Sequence, residues 1–496
     1  MNEPERSDSS IVATKPANMS EGAGAESVER REGTKGNTRE PYTHRTPSRA
    51  SVSPGLERVR ERAKEVKKER FTALLHHVTV DLLRMSYSKL KRDAAPGVDG
   101  QTWRDYGKDL EAKLVDLHAR LHRGTYRALP SRRKFIKKED GRQRPLGIAS
   151  LEDKIAQRAV VEVLNAIYEQ DFLGFSYGFR PGRGQHDALD ALAVGITRTK
   201  VSWILDADVR SFFDSMSHDW LIRFVEHRIG DPRVIRLIRK WLKAGVMDGA
   251  EWTSNDTGSP QGSVISPLLA NIYLHYSFDL WANQWRHRHA LGNVVYVRYA
   301  DDSVAGFEYE SDAKRFLADL RERMEKFALS LHPDKTRLIE FGRFAVERRE
   351  RHGLGKPETF NFLGFTHICA YTHRGSFLLK RKTRRDRMRS TLRAIKAELR
   401  RRMHEPIFKQ GRWLGKVVRG YFGYHAIPTN TRSLCAFRHH VKNLWRRSLR
   451  RRSSRDRTTW TRIAQLADEF LPPARILHPW PGHRFAVTYP RWKPGA

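Results

Sequence analysis

Only two cysteines, Cys369 and Cys435, occur in 496 residues. That scarcity excludes a disulfide framework and any Cys-rich zinc module, and it fits a reducing compartment. Long apolar runs are missing too; none approaches the ~20 residues that a membrane span needs. The opening MNEPERSDSS is acidic and polar, which predicts no secretory signal. Negative charge is also scarce: 57 Asp and Glu stand against 93 Lys and Arg, a net +36 with histidine neutral. These absences predict a cytoplasmic protein with no membrane association. They also predict a partner carrying a dense line of negative charge, with nucleic acid heading the list. What is present, 39% apolar and 10% aromatic residues, can build real cores. The length suggests about three structural units, and no repeat of solenoid length is found.

Residues 1–55 mix Ser, Thr, Gly, Pro and Glu with Arg, almost without apolar residues, and are expected to be a mobile tail. From Leu56 the run LERVRERAKEVKKERFTALLHHVTVDLLRMSYSKL reads as helix, first charged and then amphipathic. A turn-rich GVDGQTW precedes a second helix that Gly124 should end. The basic stretch 129–148 holds Glu-Asp-Gly in its middle. It reads as a hairpin presenting Lys137, Lys138 and Arg144, followed by a long helix from Leu151.

The centre carries the fold. VSWILDADV (201–209) is an apolar run ending in acid, a buried strand by pattern, and a helix begins near Ser217. NVVYVRY (293–299) and SVAGFE are strands joined by an Ala-Asp-Asp turn; a helix over 311–330 and the strand TRLIEFG follow. The order β-α-β-β-α-β is the split ferredoxin-like arrangement, which sets Asp208 beside Asp301 and Asp302. From Lys380 to Arg452 about two dozen Lys and Arg meet only Asp386, Glu398 and Glu405, with apolar residues at helical spacing between them. The Pro-rich end from about residue 470 is expected to be an extended segment over a folded body.

Three carboxylates at one point of a basic protein repel each other unless a cation joins them. Mg²⁺ takes oxygen ligands from one or two carboxylates together with substrate phosphates, and a pair of such ions serves phosphoryl transfer. Tyr299-Ala300-Asp301-Asp302 resembles the YADD box of reverse transcriptases. DADVRSFFDSM (206–216) resembles the motif supplying the first metal-binding aspartate. The spacing to Phe213 matches Asp208 to that role, with Asp206 and Asp214 as competitors; Asp214 is expected to cap the turn before the helix. The resemblance implies two Mg²⁺ ions, with Mn²⁺ as a substitute, on catalytic Asp208, Asp301 and Asp302.

Phe213 resembles the steric gate against a 2′-hydroxyl, or is a core aromatic, as Phe212 is expected to be. GSPQGSVISPLLANIYLH (258–275) resembles the PQG box, matching Gln261 to the incoming nucleotide and Gly262 to close backbone approach. Lys138 and Arg144 match the basic triphosphate contacts, and Lys335 in HPDKTRLIEFG matches a proton donor to pyrophosphate. NFLGFTH (361–367) resembles the turn that positions the primer end. In FSYGFRPGRGQHDAL (175–189), Arg180 and Arg183 either contact template backbone or structure the loop.

Residues of about 70–455 resemble bacterial group II intron-encoded reverse transcriptases, whose maturase, or thumb, domain is similar to residues 412–453. The implied fold is α+β: a right-hand polymerase with an N-terminal extension and fingers (56–200), a ferredoxin-like palm (201–375) and an all-helical basic thumb (376–455). A basic aromatic segment (456–496) follows. Arg412, Lys416, Arg419, Arg446, Arg447 and Arg450 are the expected RNA-binding side chains, while Trp413, Tyr421, Phe422, Tyr424 and Trp445 either stack on bases or pack the core. The implied partners are the group II intron RNA, an RNA template with a DNA primer, dNTPs and target DNA. No CxxC pair is present, so no HNH endonuclease is expected. A splicing-only RNA chaperone and a reverse transcriptase co-opted for defence are the competing readings.

Overall fold

The computed structural model describes residues 54–137, 143–249, 251–254, 257–259, 262–452 and 458–488. The tail expected over 1–55 lies outside them apart from Pro54 and Gly55, which open the helix Pro54–Glu65. The long helix expected from Leu56 is broken. Buried Arg228 takes the carbonyls of Ala63, Val66 and Glu69 as acceptors, so the chain leaves the helix there. It re-enters helix at Val80–Ser88, where the Thr79 side chain accepts from Leu82 N–H. Helix Leu110–Arg123 ends at Gly124, whose φ of 80° only glycine adopts without strain.

Strands β1 (Ser131–Lys137) and β2 (Gln143–Ile148) form an antiparallel hairpin, with Lys137 opposite Gln143. The Ser150 hydroxyl caps the long helix Leu151–Asp171, which lies in the core with most of its residues buried. Strand β3 (Trp203–Asp208) follows the helix Gln185–Arg198. After three helices, β4 (Val246–Asp248) and β5 (Glu251–Thr253) extend the first hairpin into a sheet of order β2-β1-β4-β5. Helix Ser266–Leu274 then runs through a π-helical turn, His275–Asp279, into Leu280–Arg288.

Strands β6 (Val294–Tyr299) and β7 (Asp302–Phe307) are a tight hairpin, and β8 (Arg337–Glu340) follows the helix Glu310–Glu325. The sheet order is β6-β7-β3-β8 with every pair antiparallel. The helix between β7 and β8 is shorter than the span 311–330. It starts one residue earlier, and Asp312 turns inward to accept from the N–H groups of Leu291 and Gly292. A third sheet joins β9 (Phe360–Phe362), β10 (Phe365–Tyr371) and β11 (Phe377–Thr383).

One core runs from Leu56 to β11; a second is built from helices Arg385–Arg401, Ile407–His425, Thr431–Leu449 and Trp460–Phe470. Two helices each correct one expectation, Trp460–Phe470 and Pro481–Thr488. A boundary at 455 would cut this core, because Ile463, Leu466 and Ala467 are buried in it. The end of the chain is not simply extended either: helix Pro481–Thr488 packs on Gln185–Arg198, and Arg484 shares buried Asp190 with Arg381. Among the described residues no helix is long and apolar enough to cross a membrane.

Candidate active site

Strand register brings the carboxylates together. β3 lies beside β7 with Asp208 opposite Asp302, and Asp301 precedes Asp302 in the turn. That turn depends on Ala300, a non-glycine residue at φ 61°, a conformation costing of order 1–3 kcal/mol unless its surroundings impose it. Here they do. Arg298 is 1% exposed and donates from Nη1 to the Ala300 carbonyl at 3.0 Å. Gly178 presses on the same turn; a Cβ there would stand 2.3 Å from Ala300 N and 2.7 Å from the Tyr299 carbonyl carbon.

Lys335 donates to Asp208 Oδ2 at 2.5 Å, so a side-chain ammonium already stands where a cation would be attracted. Among the described residues no three Asp, Glu, His or Cys side chains form a ready-made metal cage. Two carboxylates on paired strands, a third in the turn and a displaceable cation fit a divalent ion whose shell is completed by substrate oxygens. Asp206 sits two residues back on β3, opposite Val304 and Arg337. Asp214 does not cap the next helix. It lies inside the short helix Phe212–Ser215, and Ser217 is the residue whose hydroxyl accepts from Trp220 N–H.

A cleft of about 160 Å³ opens between β2 and the short helix Phe212–Ser215. Phe213 lines it with Arg133, Leu146, Gly147 and Gly258, whereas Phe212 packs edge-on against Tyr273 in the core. Gly262 has a φ of 113°, and a Cβ would meet the Gly147 carbonyl at 2.7 Å, so the chain runs close against β2 there. Lys138 and Gln261 lie outside the described residues. Arg144 takes its strand position opposite Ile136. Sequence reasoning passed over Gln157, whose buried Oε1 accepts from Ser263 Oγ and Val264 N and so fixes the chain just after the PQG box. Its signal was a polar residue one helical turn before the apolar Val160 and Val161 of Leu151–Asp171.

Of the two loop arginines, Arg180 is withdrawn from RNA contact. It is 6% exposed, pairs with Glu169, donates to the carbonyls of Leu173 and Ser176, and lies over the Phe172 ring. Burial pushes its guanidinium down to about 10, with Arg183 adding repulsion and Glu169 opposing. Arg183 is half-buried and ties the loop through the Gly174 carbonyl. Arg412, Lys416 and Arg419 form one exposed stripe of Ile407–His425, and Arg447 and Arg450 are exposed on the next helix. Arg446 is half-buried over the Trp460 ring. Tyr421, Phe422 and Trp445 belong to the second core.

A larger cleft of about 470 Å³, lined by none of Asp208, Asp301 and Asp302, opens beside Asn361, Thr366 and Asp386. Its other wall carries Arg385, Arg389 and Arg393, one helix face that the sequence reading left out although the four-residue spacing announced it. The FLGF turn beside it is docked by Tyr424, whose hydroxyl donates to Leu363 O at 2.8 Å.

The profile of the reverse transcriptase (RNA-dependent DNA polymerase) family matches residues 136–367. Protein YkfC of Escherichia coli (strain K12) is 35% identical over an alignment of 300 residues that covers 52% of this chain and 77% of YkfC. The chain belongs to the reverse transcriptase family. This reverse transcriptase is also similar to the group II intron-encoded protein LtrA of Lactococcus lactis subsp. cremoris, 35% identical over 225 residues. A 91 kDa protein in the cob intron of Schizosaccharomyces pombe is 30% identical over 312 residues. The matches cover 44% and 52% of the chain but only 37% and 38% of those two relatives. The chain thus spans little more than a third of the length of those two relatives, and the family it belongs to is that of the RNA-dependent DNA polymerases. Its family works with divalent metal ions on nucleic-acid substrates.

Proposed function

We propose that this chain binds its group II intron RNA, assists its splicing and copies it into cDNA for retromobility. The observation carrying this reading is Asp208 opposite Asp302 across paired strands, with Asp301 in the adjoining turn. Residues 56–200 supply the extension and fingers, 201–375 the palm, and the four-helix core after residue 376 the thumb. Arg412, Lys416, Arg419, Arg446, Arg447 and Arg450, with Arg183 at the loop, meet RNA backbone. The charged stripes support this, because a net +36 is relieved when phosphates neutralise it.

Asp208, Asp301 and Asp302 would hold two Mg²⁺ ions, replaceable by Mn²⁺. These would supply activation of the primer 3′-hydroxyl and charge neutralisation at the triphosphate. The residues of the chain do the rest. Lys138 and Arg144 grip the triphosphate; Gln261 and Gly262 border the nucleotide. Phe213 closes the pocket beneath the sugar, and its burial in the cleft beside Gly258 gives it little room to yield to a 2′-hydroxyl. Lys335 rests on Asp208 in the unliganded protein and donates a proton to departing pyrophosphate once the nucleotide draws it away. The FLGF turn aims the primer end.

Asp301→Asn and Asp302→Asn should each lower single-nucleotide extension of a DNA primer on an RNA template by more than about 10²-fold. Intron RNA binding should stay within twofold. Extension at the wild-type rate by either variant would remove the carboxylates from the chemistry. A splicing-only chaperone would instead show no extension in the wild type.

A further inference from the structure

Arg298 precedes the catalytic turn by two residues and uses every N–H it has. Nε and Nη2 donate to the two oxygens of Asp279 at 2.6 and 2.5 Å. Nη1 donates to Asn271 Oδ1 at 3.2 Å and to the Ala300 carbonyl at 3.0 Å, and Nη2 also donates to Ser176 Oγ at 2.6 Å. Five donors in a fixed planar fork meet five acceptors drawn from four separate segments. Asn271 closes the circuit by donating to the Gly178 carbonyl at 2.6 Å, beside the same turn.

Such a pair is expensive to bury, and solubility or general cohesion would not select it over apolar packing. The Asp279 side chain is fully buried and ends the π-helical turn; turns of this kind recur at functional sites because they cost regular helix hydrogen bonding. The only acceptor that Arg298 takes from its own strand hairpin is the carbonyl of Ala300, the residue held in left-handed backbone. We propose that Arg298, fixed by Asp279, is the positioning residue that sets the Ala300 carbonyl and so aims Asp301 and Asp302 before any cation or nucleotide arrives. Lysine in its place would keep the charge but lose the fork, leaving the turn without its second anchor.

The inference rests on the polymerase reading for its purpose, so the test reads metal binding as well as turnover. Mn²⁺ is titrated by electron paramagnetic resonance into the full-length protein with a chain-terminated primer on an RNA template and the next dNTP. Asp301→Asn identifies the signal that belongs to the turn. Arg298→Lys should weaken that binding at least fivefold and lower kcat for extension at least tenfold, with KM for dNTP changed less than threefold. Ser176→Ala, which removes one acceptor of five, should weaken Mn²⁺ about twofold and covers the case of a lysine variant that fails to fold. Leu164→Ala, a core truncation at a residue outside the hydrogen-bond network of the fork, is the reference for stability loss alone and should leave the Mn²⁺ midpoint unchanged. Mn²⁺ binding by Arg298→Lys and Ser176→Ala equal to wild type, or a loss matched by Leu164→Ala, overturns the positioning role. A wild type that binds Mn²⁺ at the turn but extends no primer overturns the polymerase reading and not this one.

Discussion

Gly178 lies 123 residues before Asp301, yet one methyl group there should disable the catalytic turn. A Cβ at this position would stand 2.3 Å from Ala300 N and 2.7 Å from the Tyr299 carbonyl carbon, both backbone atoms that have no rotamer to escape into. Ordinary contact begins at about 3.4 Å, so the turn or the loop 175–178 must retreat by about 1 Å. The loop is poorly placed to move. Tyr177 N donates to Arg298 O at 3.0 Å, Arg298 N donates to Phe175 O at 3.1 Å, and Asn271 grips the Gly178 carbonyl. A displacement of about 1 Å at reacting groups costs on the order of 10²-fold in rate, equivalent to about 2.7 kcal/mol of barrier. Overpacking of this kind also removes about 1–3 kcal/mol of stability. The assay is single-turnover extension by one nucleotide for Gly178→Ala, with Gly355→Ala, whose Cβ meets nothing within 4 Å, as the control. A Gly178→Ala protein with wild-type rate and wild-type Tm would refute the claim that this glycine is where the loop bears on the turn.

Acid should destabilise the fold well above the range of carboxylate titration. Burial pushes His275, His367 and His425 each down to about 3 from an ordinary 6.5, with nearby arginines adding to the effect, so between those limits the unfolded chain binds protons that the folded chain refuses. Stability is therefore full above pH 6.5 and falls as pH drops towards 3, by about 1.4 kcal/mol per histidine per pH unit in the steep region. Urea midpoints that stay flat from pH 6.5 to 5 would contradict the burial. On the helix Ile407–His425, Gly420 is exposed and a Cβ there meets nothing within 4 Å among the described residues. Gly420→Ala should raise stability by about 1 kcal/mol, read as an increase in Tm. If nucleic acid lies along the Arg412–Lys416–Arg419 stripe it should also bind more weakly; tighter folding with unchanged binding would move the nucleic acid to another face.

The sequence by itself determined a great deal, because its informative signals are local. Alternating and continuous apolar runs made the central strands legible, and the charge balance named the class of partner. The spacing of Asp208, Phe213, Asp301 and Asp302 named the family before any coordinates were needed. The hairpin of β6 and β7 needs nothing beyond two neighbouring six-residue strands and the turn between them. What tertiary structure alone decided are the contacts that join distant segments. Arg180 shows that a short-range contact can escape the pattern too: it had the charge of an RNA contact but is spent on Glu169 and the carbonyls of Phe172, Leu173 and Ser176, just before it in the chain. Lys335 and Asp208 are 127 positions apart and meet only after β3 and β8 have paired. Arg298 was not singled out by the sequence; its partners come from Ser176, Asn271 and Asp279, and no local pattern joins them. Helix Trp460–Phe470 was passed over for a related reason, since the prolines that follow it mask its period while its burial depends on three earlier helices. Periodicity encodes which face of an element is apolar, but which buried donor meets which acceptor is settled only when the elements pack.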